Sequence, residues 1–348
     1  MKPTENRTAV ILRFIHRYFI WMIVSSYIAA AMMPRFGLWI HNFSFGGADS
    51  IRRNRIFSLP LLMLAVLLFN AGLGAKAEEL IRLVQKPLVL LGGLICNLTI
   101  PLAFIVAVSS LKHIWHDQEE IQQILVGLAL VASMPIAGSS AAWSQNSNGS
   151  LALSLGLILS TTALSPLLAP FVLDMAGFVT TGDLSKHLRK LASGEAASFL
   201  GTWVILPTLF GILAHLLIGE THVTRVMPYL KIINFSVLLF LNYSNASLTL
   251  PNLVSHPDID FLAVMLVIVI ALCVSAFSAG YLLARLSRVS KSERVSLVFG
   301  LGMNNNGAGL VLASVALAHH PQVMLPIIFY NLAQQVIAAA VDLALFKS

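Results

Sequence analysis

The residues best placed for chemistry lie in two short stretches. "GLGMNNNGAG", Gly300 to Gly309, sets Asn304, Asn305 and Asn306 in a row inside an otherwise apolar run. "MPIAGSSAAWSQNSN", Met134 to Asn148, puts a proline, a glycine and then Ser139 and Ser140 in a second such run. An amide left unsatisfied in hydrocarbon costs several kcal/mol, so three in a row must face protein, water or a ligand. Two uses fit: interhelical glue across a Gly-rich contact, or a ligand site at membrane mid-depth. Glycine and asparagine are poor helix residues, so with Gly300, Gly302 and Gly307 the run is expected to unwind and expose carbonyls as well as amides. Pro135 lacks a donor and clashes with the preceding turn, and Gly138 loosens the backbone after it. A half-helix starting near Ser139 would present free N–H groups and partial positive charge, for which an anionic group is the natural partner. The expected substrate contacts are therefore Ser139, Ser140, Asn304, Asn305 and Asn306.

No Asp or Glu falls at mid-depth in an apolar run, whereas such residues mark many proton relays and cation sites. No nucleophile with its base, no phosphate-cradling loop and no His/Cys metal spacing is legible, so neither enzymatic chemistry nor a bound cofactor is expected. Cys96 and Cys273 each lie inside an apolar run and read as packing. Asn70, Asn97, Thr99, Asn242, Asn245, Asn331, Gln334 and Gln335, taken singly, also weigh toward packing. Trp143 and Trp203 read as core or interface aromatics, Asp342 as reaching the cytoplasmic interface, and His319 and His320 as solvated.

The elements that must hold these residues follow from composition. Of 348 residues 57% are hydrophobic and 11% charged, and the mean hydropathy is +0.83, which excludes a soluble globular protein. Apolar runs of helical length recur, too long for the strands of an outer-membrane barrel. The expected class is all-α integral membrane, with ten transmembrane helices near 18–34, 57–75, 87–109, 122–147, 150–173, 197–219, 227–247, 261–284, 294–318 and 321–345. The first is read as an uncleaved span. The net charge of +7 reflects topology rather than a nucleic-acid partner, since Lys and Arg sit in short connections. With a cytoplasmic N-terminus, fourteen Lys and Arg face the cytoplasm against eight outside, despite Arg52, Arg53 and Arg55 on the outer side.

Spans four and nine each carry an apolar half, a methionine and a helix-breaking cluster. Met134 and Met303 stand 169 residues apart, and each broken span is fourth in a set of five. The chain thus divides into a first repeat, 1–173, and a second, 197–348. Because five is odd, the second enters from the opposite face, giving inverted repeats with crossing discontinuous helices.

These residues carry a resemblance to the bile acid:sodium symporter (SBF-like) family over nearly the full length. The family's span-nine pattern, Glu-(Val/Ile)-Gly-Met-Gln-Asn followed by a small residue and Gly, matches Gly300-Leu301-Gly302-Met303-Asn304-Asn305-Asn306-Gly307. Its span-four to span-five pattern matches Pro135 to Gly138, Ser140-Ala141, Ala152-Leu153-Ser154 and Ser165-Pro166, and "LLFNAGLGAKAEEL" and "LICNLTIPLAF" fit as well. The resemblance implies a panel of spans one, two, six and seven and a core of spans three to five and eight to ten, with substrate between them near the crossover. It also implies a sodium site formed here by Ser140, Ser154, Asn304 and, with a one-residue slip, Asn97. The family's glutamate falls on Gly300, an asparagine on Ala141 and a threonine on Ile158. These departures remove the only full negative charge and two oxygens, so the residues present favour sodium weakly.

The expected function is secondary active transport of a small organic anion by alternating access in the plasma (inner) membrane. Sodium symport is the family's default, and sodium-independent exchange or proton coupling is what the residues favour. A non-transporting receptor or a channel reusing the fold is the alternative from another class.

Overall fold

The computed structural model describes residues 7–44, 58–75 and 87–346. The arginines at 52, 53 and 55 and residues 76–80 of the span-two motif lie outside the described residues. Those described are 88% helical, with no strand beyond two isolated backbone bridges, and form an integral membrane protein. Among the described residues six helices are long and apolar enough to cross a membrane, and a pair bent by 93° at Met33 is long and apolar enough to do so if it counts as one broken span. Leu59–Leu73 and Asn306–Ala316 are shorter apolar helices. Contacts divide the chain into one unit of Met1–Ala75 with Thr202–Pro257 and a second of Lys76–Gly201 with Asp258–Ser348.

In the first unit α1 (Arg7–Met32) gives way to α2 (Pro34–Asn42), with Pro34 at the opening position that tolerates a missing donor. The α2 helix is laid against α11 (Glu220–Ala246) by two bonds, Tyr243 OH to Met33 O at 2.5 Å and Ser244 Oγ to Gly37 O at 3.1 Å. α3 (Leu59–Leu73) crosses α10 (Leu206–Ile218) so closely that their backbones meet. A Cβ on Gly72 would lie 2.1 Å from Thr208 O, and one on Gly211 would lie 2.0 Å from Phe69 O. Asn70 Nδ2 donates to Asn234 Oδ1 at 2.7 Å, and His215 Nδ1 lies 2.7 Å from Leu73 O, so Asn70, Asn234 and His215 find partners across helices.

The second unit is built on α4 (Pro87–Ser109), α5 (Gln118–Ser133), α6 (Ser139–Asn146), α7 (Leu151–Val179), α13 (Ile259–Leu286), α14 (Lys291–Gly302), α15 (Asn306–Ala316) and α16 (Met324–Val341). Spans four and nine are thus each interrupted where the breakers stand. The polar stretch before span six is itself helical: α8 (Gly182–Lys190) runs on through a kink at Gly194, φ +136°, into α9 (Ala196–Leu200). That backbone suits glycine alone. In the first unit, the short α12 (Leu250–Ser255) follows α11.

Connections within the second unit meet in pairs. The segment before α5 meets the start of α13, with His116 Nε2 3.5 Å from Asp260 Oδ2. Burial raises the Glu120 carboxyl there, and hydrogen bonding with Asp260 and from Phe261 N lowers that of Asp258. The turn after α6 meets the basic loop before α14: Ser150 N donates to Ser292 O at 3.0 Å and Ser296 Oγ to Ser150 O at 2.8 Å. The start of α8 meets the turn after α15, where His320 Nε2 lies 3.7 Å from Asp183 Oδ2.

Candidate functional site

Both interrupted helices are well started. Asp117 caps α5, accepting from Glu119 N at 2.8 Å with Glu119 and Glu120 in the first turn, where the helix dipole favours them. Ser290 and Glu293 form a reciprocal capping box on α14. Each helix then becomes wholly buried over its last two turns and stops at a methionine in extended conformation, Met134 and Met303.

The two freed strands of backbone satisfy each other. Ile136 and Asn304 pair as an antiparallel bridge, Ala137 N donates to Met303 O and Asn305 N to Pro135 O, both at 2.9 Å. Within hydrocarbon this is how two broken helices can coexist, because each supplies the partners that the other lost. Side chains hold the crossover from either flank. Thr161 Oγ1 on α7 accepts from Ile136 N at 3.1 Å, and Gln334 on α16 accepts from Asn304 N at 3.1 Å and donates to Asn304 O at 3.3 Å. Gln334→Leu should leave the buried Asn304 N–H without a partner and lower stability by about 2 kcal/mol, seen as earlier thermal unfolding in detergent. Gln335→Leu, which loses one bond from the half-buried Trp143 indole, should cost less.

The structure gives the three asparagines different surroundings. Asn304 Nδ2 donates to Val131 O at 3.1 Å, capping the end of α5, while its Oδ1 is buried without a partner among the described residues. Asn305 Oδ1 accepts from Ala308 N at 3.2 Å, so this half-buried residue is the N-cap of α15. Asn306 is 1% exposed and neither of its amide atoms has a partner among the described residues. Ser139 opens α6 and is half-buried; Ser140 follows with a buried hydroxyl that has no partner among the described residues. Ser154 Oγ on α7 is likewise buried and unpartnered. Asn97 is half-buried on α4, one turn from Gly93, whose absent side chain leaves room for Leu157. Orphaned buried oxygens each carry a penalty of about 1–3 kcal/mol unless water, an ion or a ligand meets them.

Apolar packing fills the neighbouring space. Ile136, Leu157, Ala284 and Leu297 form a buried cluster against which Ile158 packs, and a Cβ on Gly300 would lie 2.9 Å from Leu157 Cδ1. Thr161 and Leu157, which the sequence did not single out, thus shape the crossover; nothing in their local spacing marks them. Asp342, expected near the interface, is buried and accepts from Ser147 Oγ at 2.5 Å, tying the end of α6 to the chain after α16. Trp143 stacks on Phe299 with ring centres 5.9 Å apart. In the first unit, Asn242 and Asn245 are fully buried, and none of their four amide atoms has a partner among the described residues. A cavity of about 860 Å³ in that unit is lined by Met33, Arg35, Phe36, Phe240 and Tyr243 among others.

Paired broken helices meeting through their backbones, with buried polar side chains around the meeting point, are an arrangement that polytopic membrane transporters use. The sequence pattern of the Sodium Bile acid symporter family matches residues 61–256, more than half of the chain, and the chain belongs to that family. The matched region contains the first helix break and stops short of the second. Among its relatives in Bacillus subtilis (strain 168), the uncharacterized protein YbaS is 28% identical over 216 residues, which is 62% of this chain and 66% of YbaS. A second, the uncharacterized sodium-dependent transporter YocS, is 22% identical over 280 residues, 80% of this chain and 81% of YocS.

Proposed function

We propose that this chain is a secondary active transporter moving a small organic anion by alternating access, without obligatory sodium coupling. The observation that carries this reading is the crossover of Ile136 and Asn304, around which Ser140, Ser154, Asn304 and Asn306 keep buried polar atoms unpartnered. The N-terminus of α6 supplies partial positive charge to an anion that reaches Ser139 and Ser140, and the amide of Asn306 adds both donors and an acceptor. Asn305, as a cap, fixes the start of α15 besides offering its remaining amide to substrate.

The paired connections support ten crossings arranged as two inverted five-helix halves, since connections assigned to one face by the charge count meet one another. On that reading the N-terminus is cytoplasmic and the protein lies in the plasma (inner) membrane. Sodium symport is the second reading, favoured by the names of the family and of YocS. Against it, Ser140, Ser154 and Asn304 offer few oxygens and no charge, where a hard cation at mid-membrane needs several ligands and compensation.

Counterflow into proteoliposomes, with a panel of organic anions in sodium and in sodium-free buffer, tests the proposal. Saturable exchange of at least one anion is the expected result, and folded protein exchanging none would favour a receptor. Ser140→Ala should weaken affinity for that anion by a factor of several, about 1 kcal/mol for one hydrogen bond. Unchanged affinity would move the anion away from α6.

A further inference from the structure

We propose that Asp183, His187 and His320 form a binding site for a divalent transition-metal ion of the zinc type. The three come from distant parts of the second unit. Asp183 and His187 stand one turn apart on α8, and His320 sits in the turn that follows α15. Their ligand atoms all lie within 4.8 Å of one another. Asp183 Oδ2 is 3.5 Å from His187 Nδ1 and 3.7 Å from His320 Nε2. Tetrahedral zinc with bonds of ~2.0–2.1 Å spaces its ligands by roughly 3.3 Å, so small side-chain rotations bring these donors onto one ion.

The donor set decides the ion. Two imidazoles and one carboxylate suit zinc, and are poor for calcium or magnesium, which take oxygen. The two rings pack edge to face with centres 5.4 Å apart, which restrains both. Lys186 Nζ lies 3.8 Å from Asp183 Oδ1, while Oδ2, within 3.7 Å of both imidazoles, is the oxygen placed to ligate. His187 Nδ1 also lies 2.9 Å from Asp183 O, a contact that ligation exchanges for the metal. The imidazoles are 30% and 26% exposed and the carboxylate 62%, so water completes the coordination. A bound ion would fasten α8 to the end of the interrupted helix that begins at Asn306.

Purified protein without an affinity tag, stripped with chelator and titrated calorimetrically with zinc chloride in detergent, tests the site. One zinc per chain is expected, with affinity falling at least about tenfold in His320→Ala and in Asp183→Asn. His319→Ala, altering an exposed neighbour, should bind as wild type does. The melting temperature of each variant without zinc should match wild type, while the rise on adding zinc should be lost in His320→Ala. Absence of saturable binding, or binding indifferent to His320→Ala, overturns the proposal.

Discussion

Uptake of the transported anion is expected to vary by no more than about twofold when sodium is exchanged for choline across the full concentration range, because no carboxylate is present at the crossover to hold a cation. Where the family resemblance implies a glutamate, Gly300 faces Leu157, and where it implies a threonine, Ile158 packs on the same apolar cluster as Leu157. Both positions thus border the same apolar side chain, Leu157. Introducing Gly300→Glu alone should abolish uptake and destabilise the protein. Its Cβ already meets Leu157 Cδ1 at 2.9 Å, and its carboxylate would be buried without partner oxygens at a cost of several kcal/mol. Combining it with Ala141→Asn, Ile158→Thr and Leu157→Ala should restore folding and bring measurable sodium stimulation. A tenfold sodium stimulation of the wild type would sink the idea, as would a harmless single change with no sodium response in the combined variant.

Gly72→Ala should unfold the first unit far more readily than its single added methyl suggests. That methyl would sit 2.1 Å from Thr208 O, which is backbone and cannot rotate aside, so α3 and α10 must separate along their contact. Overpacking of this kind costs on the order of 3 kcal/mol, and Gly211→Ala should behave alike, since its methyl would lie 2.0 Å from Phe69 O. Gly201→Ala is the comparison: nothing lies within 4 Å of its would-be Cβ and its φ is −59°, so it should be neutral or slightly stabilising. Thermal unfolding followed by intrinsic fluorescence in detergent reads all three. Equal melting temperatures for Gly72→Ala and Gly201→Ala would mean that the two backbones are further apart than the contact implies.

The sequence by itself determined the all-helical membrane class and the two interruptions, but not the helices α8 and α9 before span six. Hydropathy, helix length and the demand that backbone groups be satisfied in lipid are all local quantities, so the end of α4 near Ser109 and the breaks at Pro135 and Asn304 could be expected from the sequence alone. Tertiary structure alone decided which groups complete one another. The sequence shows three equivalent amides at 304–306, yet one caps α5, one caps α15 and one is left unpartnered, because each depends on what another element brings within 3 Å or so. Gln334, 30 residues from Asn304, and His320, far along the chain from Asp183, acquire their places only when their helices pack. The same holds for Leu157, whose side chain fills the space beside Gly300: a missing side chain is visible in a sequence, whereas the atom that takes its room is set by packing.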